Sequence, residues 1–194
     1  MKIVDYDMKS IIDQELNNGS NDLVTRETGN RIRERIEREL KLLKESVIIL
    51  LNFSNIGIID YSCGDEIVAK LVSRLISGEY GEKYILIKGL NPHQRENIEV
   101  ALERKRLSVL NLTEKGPLEI IGPLNNYLKE TLFFVMRNGK MTSREVADRL
   151  GIELNTSSTR LINLYKKRLL IRQEELLNAG GRQFIYESIL LNLS

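Results

Sequence analysis

Apolar residues change period several times along the chain, and each change predicts an element. Lys2 to Asp7 reads as a first strand. Ile32, Ile36, Leu40 and Leu43 recur at spacings of four, four and three, on one face of a helix whose opposite face is dense in Arg, Glu and Lys. "SVIILLNFSNIGIID" follows, rich in branched apolar residues with little alternation, as in a strand covered on both faces. From Asp65 to Ser77 the period is helical again, through Ile67, Val68, Leu71, Val72, Leu75 and Ile76. The break "GEYGE" precedes a short strand in "KYILIKG", and a helix in "NPHQRENIEVALERKR" leads to a strand in "LSVLNL". Asn91 is placed to cap that helix, with Pro92 at its first position. Strands and helices in this alternation predict an α/β domain: a sheet with right-handed crossovers and helices packed against it.

"TEKGPLEIIGPLNN" interrupts the helical periods with two Gly-Pro steps, which predicts a boundary. Residues 1–115 then form the α/β domain, 116–123 a linker in which "LEII" can be a short strand, and 124–194 a small α+β domain. In the last, "LNNYLKETLFFVMRNG" reads as a helix whose Tyr127, Leu128, Leu132, Val135 and Met136 support two further helices. Thr142, three residues before Glu145, fits a capping box, with Met141 stapling to Val146. Val146, Ala147 and Leu150 point inward, and Gly151 supplies a tight turn. The next helix starts near Asn155 or Thr156 and runs through Lys167. Leu161, Leu164 and Tyr165 are expected to pack inward, leaving Ser157, Ser158, Arg160, Asn163 and Lys167 on the outer side. "LLIRQEELLNAGGRQFIYESIL" reads as strand, glycine turn and strand, with Asn178, Gly180 and Gly181 in the turn and Phe184 and Tyr186 on one strand face.

Composition narrows the chemistry. The chain has 194 residues, 42% of them hydrophobic, as a globular core requires. The apolar run Val47 to Leu51 is far short of the ~20 residues that cross a bilayer, so no membrane partner is expected. The first residues lack the apolar block of a secretion signal, making the cytoplasm the expected location. Cys63 is the sole cysteine and His93 the sole histidine, which removes disulfides, cysteine-rich zinc sites and most triads. No glycine-rich phosphate loop follows a predicted strand. The expectation is therefore a non-enzymatic protein with no catalytic residues, metal or cofactor. Net charge is +2 but uneven: residues 124–194 hold 11 Lys or Arg against 7 Asp or Glu, and residues 1–123 hold 18 against 20. That asymmetry permits nucleic-acid contact by the C-terminal part without demonstrating it.

Two places carry candidate chemistry. On the outer side of the last helix, Arg160 is the expected base reader, because its planar fork can address a guanine bidentately. Thr156, Ser157, Lys166 and Lys167 suit phosphate positioning, with Arg172 at the hairpin base and Arg182 near its tip making further phosphate contacts. The other place is "DYSCGDE", at the junction of strand and helix. Ser62 can cap the helix and Asp65 lies in its favourable field, while the loop itself can meet a partner. Cys63 reads as a small buried contact, although a helix start can make a thiol reactive. Arg31, Arg33, Arg35 and Arg38 form a weaker nucleic-acid candidate, since Glu34, Glu37 and Glu39 interleave with them.

"VIILLNFSNIGIIDYSCGDEIVAKLV" resembles the core of the STAS domains of anti-sigma factor antagonists, in which a strand leads to an Asp-Ser-Ser-Gly loop whose second serine is phosphorylated to control partner binding. By that resemblance Asp60 matches the aspartate, Tyr61 the first serine, Ser62 the phosphoacceptor and Cys63 the glycine. "LVTRETGNRIRERIEREL" and "SCGDEI", with Asp65 and Glu66 opening the helix, are closer still to a STAS-like family of unknown function. The likeness spans residues 20 to 112. A phosphate on Ser62 would lie near Asp60, Asp65 and Glu66, whose charge opposes it.

Residues 124–190 resemble the winged helix-turn-helix domains of bacterial transcriptional regulators, of bacterial or archaeal type. The resemblance is carried by "T-x-x-x-x-A-x-x-L-G-[IV]" and "S-S-x-x-R-x-[IL]-x-x-L". It implies DNA reading by Ser157, Ser158, Arg160 and Asn163, and wing contacts by Gly181 and Arg182. Arg168 stands where many relatives have glycine, and Glu174 and Glu175 make the wing acidic. Together the resemblances imply a DNA-binding transcription regulator with double-stranded DNA as partner, pairing as a homodimer, whose STAS-like domain senses a signal or binds a protein. The alternative is a protein-protein interaction adaptor whose winged helix does not bind DNA.

Overall fold

A computed structural model describes the chain except residues 17–18, 114–117, 178–179 and 193–194. Asn178 of the expected turn and Gly116 of the expected linker lie outside the described residues. The chain divides into two compact units, Met1–Pro123 and Leu124–Ser194.

The first unit is mixed α/β, built on a five-stranded sheet. β1 (Lys2–Asp7), β2 (Val47–Asn52), β3 (Lys83–Lys88) and β4 (Val109–Leu112) are parallel neighbours in chain order. β5 (Glu119–Ile121) closes the edge antiparallel to β4, so the "LEII" stretch of the expected linker is part of the sheet. α1 (Met8–Leu16) and α2 (Arg26–Leu42) connect β1 to β2, and α5 (Pro92–Arg104) connects β3 to β4. Between β2 and β3 one continuous helix runs from 61 to 77. It consists of α3 (Tyr61–Gly64), a π-helical turn (Asp65–Lys70) and α4 (Leu71–Ser77).

Strand alternation explains the core. Val47, Ile49 and Leu51 of β2 and Ile85 and Ile87 of β3 join Ile32, Ile36, Leu40, Ile67, Leu71 and Ile98 of the helices in one buried cluster. Ile48, Tyr84, Leu86 and Leu110, on the other sheet face, are also fully buried, which accounts for the unbroken apolar runs. Gly29 sits where α2 crosses α3, and a Cβ there would stand 2.9 Å from Glu66 Cβ and 3.0 Å from Cys63 Cα. Only a residue without a side chain allows this crossing.

The second unit runs α6 (Asn126–Asn138), β6 (Met141–Thr142), α7 (Ser143–Leu150), α8 (Leu154–Lys166), β7 (Leu170–Leu176) and β8 (Arg182–Ser188). Its three strands pair antiparallel in the order β6-β8-β7. Leu128, Leu132, Val135, Val146, Leu161 and Leu164 are buried. Thr142 and Glu145 form the expected capping box, and Gly151 ends α7 in the left-handed region. Arg168 takes φ 60° after α8, and Leu169 N–H bonds back to the Leu164 carbonyl at 3.0 Å, closing the helix with a geometry usually given to glycine.

Candidate functional site

The surface of α8 differs from the sequence expectation at its most important positions. Ser157 is wholly buried, and its Oγ donates to the Ser143 carbonyl at 2.7 Å, tying α8 to the start of α7. Arg160 is turned toward α6. Its Nη1 donates to Glu130 Oε2 at 3.1 Å and Thr131 Oγ1 at 3.4 Å, and the guanidinium carbon stands 5.4 Å from the centre of the Tyr127 ring. Neither residue presents a free group outward, which corrects the outer face expected for them. The cause is the helical repeat: Leu161 and Leu164 face inward, so position 157, one turn earlier, faces inward too.

The exposed stripe of α8 holds Asn155, Thr156, Thr159 and Lys166, with Ser158, Asn163 and Lys167 half-exposed beside it. Thr159 Oγ1 donates to the Asn155 carbonyl, which leaves its lone pairs outward. Asn155 and Thr159 were missing from the sequence-based set, although counting three and four residues from Thr156 and Asn163 finds the stripe. Tyr127, read as support for the core, is exposed, and its hydroxyl accepts from Asn125 Nδ2 at 2.8 Å. With Asn155, Thr156, Thr159 and Arg160 it lines a shallow groove between α6 and α8.

In the hairpin, Arg172 lies between two aromatic rings, 4.3 Å from the Tyr165 centre and 4.2 Å from that of Phe184. Cation–π contact with the two rings holds the half-buried side chain along the hairpin. Arg182 is exposed and pairs with Glu174 at 3.2 Å across the strands. Gly180 and Gly181 both have positive φ, as the turn reading requires. Leu176 and Leu177 are exposed at the hairpin end.

In the first unit the cap of α3 is Asp60, not Ser62. Its Oδ1 accepts from Cys63 N–H at 2.7 Å, while Oδ2 accepts from Thr25 N–H at 3.0 Å. One carboxylate thus fastens the start of α3 to the start of α2, where Thr25 has the strained φ of 76°. Ser62 and Tyr61 are half-buried, and Arg104 lies 4.5 Å above the Tyr61 ring. Cys63 is buried and donates to the Thr25 carbonyl at 3.0 Å; burial, followed by the Asp60 charge, pushes its thiol up to about 12. It is a packing contact, with no thiolate near neutral pH.

Asp65 and Glu66 are buried with cations around them. Arg26 Nη1 reaches Asp65 Oδ2 at 2.9 Å and Glu66 Oε1 at 2.7 Å; Lys105 completes Asp65 at 2.5 Å, and Lys70 and Arg33 complete Glu66. Arg33 also pairs with Glu37 at 2.6 Å, and Glu37 with Arg74 at 2.7 Å. Burial alone would raise the Asp65 and Glu66 carboxyls. Hydrogen bonds from Lys105 and Arg26 to the first, and from Lys70 and Arg26 to the second, outweigh it and hold both below their ordinary values. Of the charges expected to oppose a phosphate on Ser62, those of Asp65 and Glu66 are therefore offset by cations, while among the described residues Asp60 has only backbone N–H partners, and the buried Arg33 cannot serve a nucleic-acid surface. Among the described residues no group of three or more His, Cys, Asp or Glu is placed to hold a metal, and no helix is long and apolar enough to cross a membrane.

No protein-family model matches the chain, and no curated protein does. Solved structures similar to it include a possible transcriptional regulator from Methanosarcina mazei Go1. The match is 18% identical, has a TM-score of 0.33, and covers 36% of this chain and 60% of that one.

Proposed function

We propose that this protein is a non-enzymatic, cytoplasmic DNA-binding regulator of transcription. In this reading Leu124–Ser194 is a winged helix-turn-helix domain that lays α8 in the major groove of duplex DNA. Met1–Pro123 is a STAS-like domain that senses a signal or binds a protein through the half-buried strand-to-helix junction at Asp60, Tyr61 and Ser62. The observation that carries the reading is the outward side of α8, where exposed Asn155, Thr156, Thr159 and Lys166, with half-exposed Asn163 beside them, combine amides, hydroxyls and a cation and no carboxylate. Amides and hydroxyls suit base edges, and the lysine suits phosphate oxygen. A module of this size gains affinity and site length by pairing, so the bound form is a dimer.

Selection of bound fragments from random duplex DNA with the full chain tests this. Enrichment of one symmetric motif, lost on Asn163→Ala, is the expected result; a flat profile overturns it. A second reading, a protein adaptor whose winged helix does not bind DNA, is favoured by the hairpin, where exposed Leu176 and Leu177 adjoin Glu174 and Glu175. Salt-insensitive behaviour toward duplex would support that reading.

A further inference from the structure

We propose that Glu130 is a built-in competitor for DNA, holding Arg160 in a latched position that a backbone phosphate releases. The inference rests on the DNA-binding reading of α8 and assigns a regulatory role to a residue of the preceding helix. Arg160 is the only basic residue between Asn155 and Tyr165 of α8. Its side chain is 17% exposed, whereas its partner Glu130 is 62% exposed. The carboxylate thus stands in water, paired with Arg160 of the groove that Tyr127, Asn155, Thr156 and Thr159 also line.

The remaining contacts of Arg160 favour a hinged latch over a buried anchor. Thr131 Oγ1 is already donating to the Tyr127 carbonyl at 2.9 Å and accepts weakly from Arg160 at 3.4 Å. The Tyr127 ring offers a face along which a guanidinium can slide while keeping its cation–π contact. Water screens the pair on the exposed Glu130 side, so its cation can be transferred to a second anion. A backbone phosphate, like the Glu130 carboxylate, carries a negative charge and can accept two hydrogen bonds from a guanidinium. Exchange costs the carboxylate its partner whatever the bases, so Glu130 lowers affinity for every sequence alike.

A double-mutant cycle over Glu130→Gln and Arg160→Ala tests this. Each full-length protein is titrated into a labelled random-sequence duplex at several salt concentrations and followed by anisotropy. Glu130→Gln is expected to bind about three- to fivefold tighter than wild type, the range set by releasing an exposed ion pair. Its log–log salt slope should steepen by roughly one unit as Arg160 takes a phosphate. In the Arg160→Ala background the gain should vanish. Arg160→Gln repeats the cycle if the alanine variant unfolds. A gain that persists without Arg160 overturns the latch, because general charge repulsion then explains it. Wild-type binding unchanged by Glu130→Gln overturns the latch and leaves the DNA reading standing. No binding by wild type or Glu130→Gln overturns both, whereas binding acquired only on Glu130→Gln supports the latch.

Discussion

Arginine and lysine are used in opposite ways by the α2–α3 crossing and by the face of α8. At the crossing, Arg26, Arg33, Lys70, Arg74 and Lys105 surround the buried carboxylates of Glu37, Asp65 and Glu66. Each carboxylate there has at least two cations. On α8 the exposed polar groups face water with hydrogen-bonding capacity to spare. Local charge density misleads in this chain: its most heavily charged segment is structural, whereas the exposed groups of α8 are mostly uncharged hydrogen-bonding side chains.

Breaking a partner at the crossing tests that contrast most severely. Glu66→Ala leaves Arg26, Arg33 and Lys70 short of an anion and should destabilise the first unit by about 3 kcal/mol or more, measured by urea unfolding. An unchanged midpoint would show the network to be ornamental. Gly29→Ala forces α2 off Cys63 and Glu66 and should cost about 1–3 kcal/mol by the same assay.

Acid should separate the two units. Asp65 and Glu66 have depressed folded pKa values, so their contribution is present above the unfolded values of roughly 3.9 and 4.3 and is lost as pH falls through the lower folded ones. Amide exchange at pH 3 should therefore rise in α2 and in the helix from 61 to 77 more than in α8. Equal loss of protection would remove the distinction. Thr25→Gly relieves a positive φ while losing only part of a cap, and should stabilise by about 1 kcal/mol. Smallest of all, Lys166→Ala should weaken duplex binding about threefold and flatten the salt slope by roughly one phosphate contact, leaving thermal stability unchanged.

Local grammar was legible in the sequence. The face of Ile32, Ile36 and Leu40, the cap at Asn91 and the capping box at Thr142 all rest on neighbours within a few residues. What escaped was long-range or differed by a fraction of a turn. Arg26 meets Asp65 and Glu66 across 39 and 40 residues, and no spacing rule reports that. Asp60 and Ser62 are both good caps, and the choice fell to Asp60 because it also reaches Thr25. Ser157 looked polar enough to face outward, yet Leu161 and Leu164 dictated its direction and the Ser143 carbonyl satisfied its hydroxyl. The groups that decide the candidate site were thus set by helix phase and by partners on α6 and α7.

The π-helical turn at Asp65–Lys70 links chain length to charge. A π turn holds one residue more than an α turn would. Removing one residue from that turn would restore a regular helix and keep Leu71, Val72 and Leu75 in phase, so a shortening is better borne there than elsewhere along the helix. Where the residue lost is Asp65 or Glu66, one of the two carboxylates that grip Arg26 goes with it.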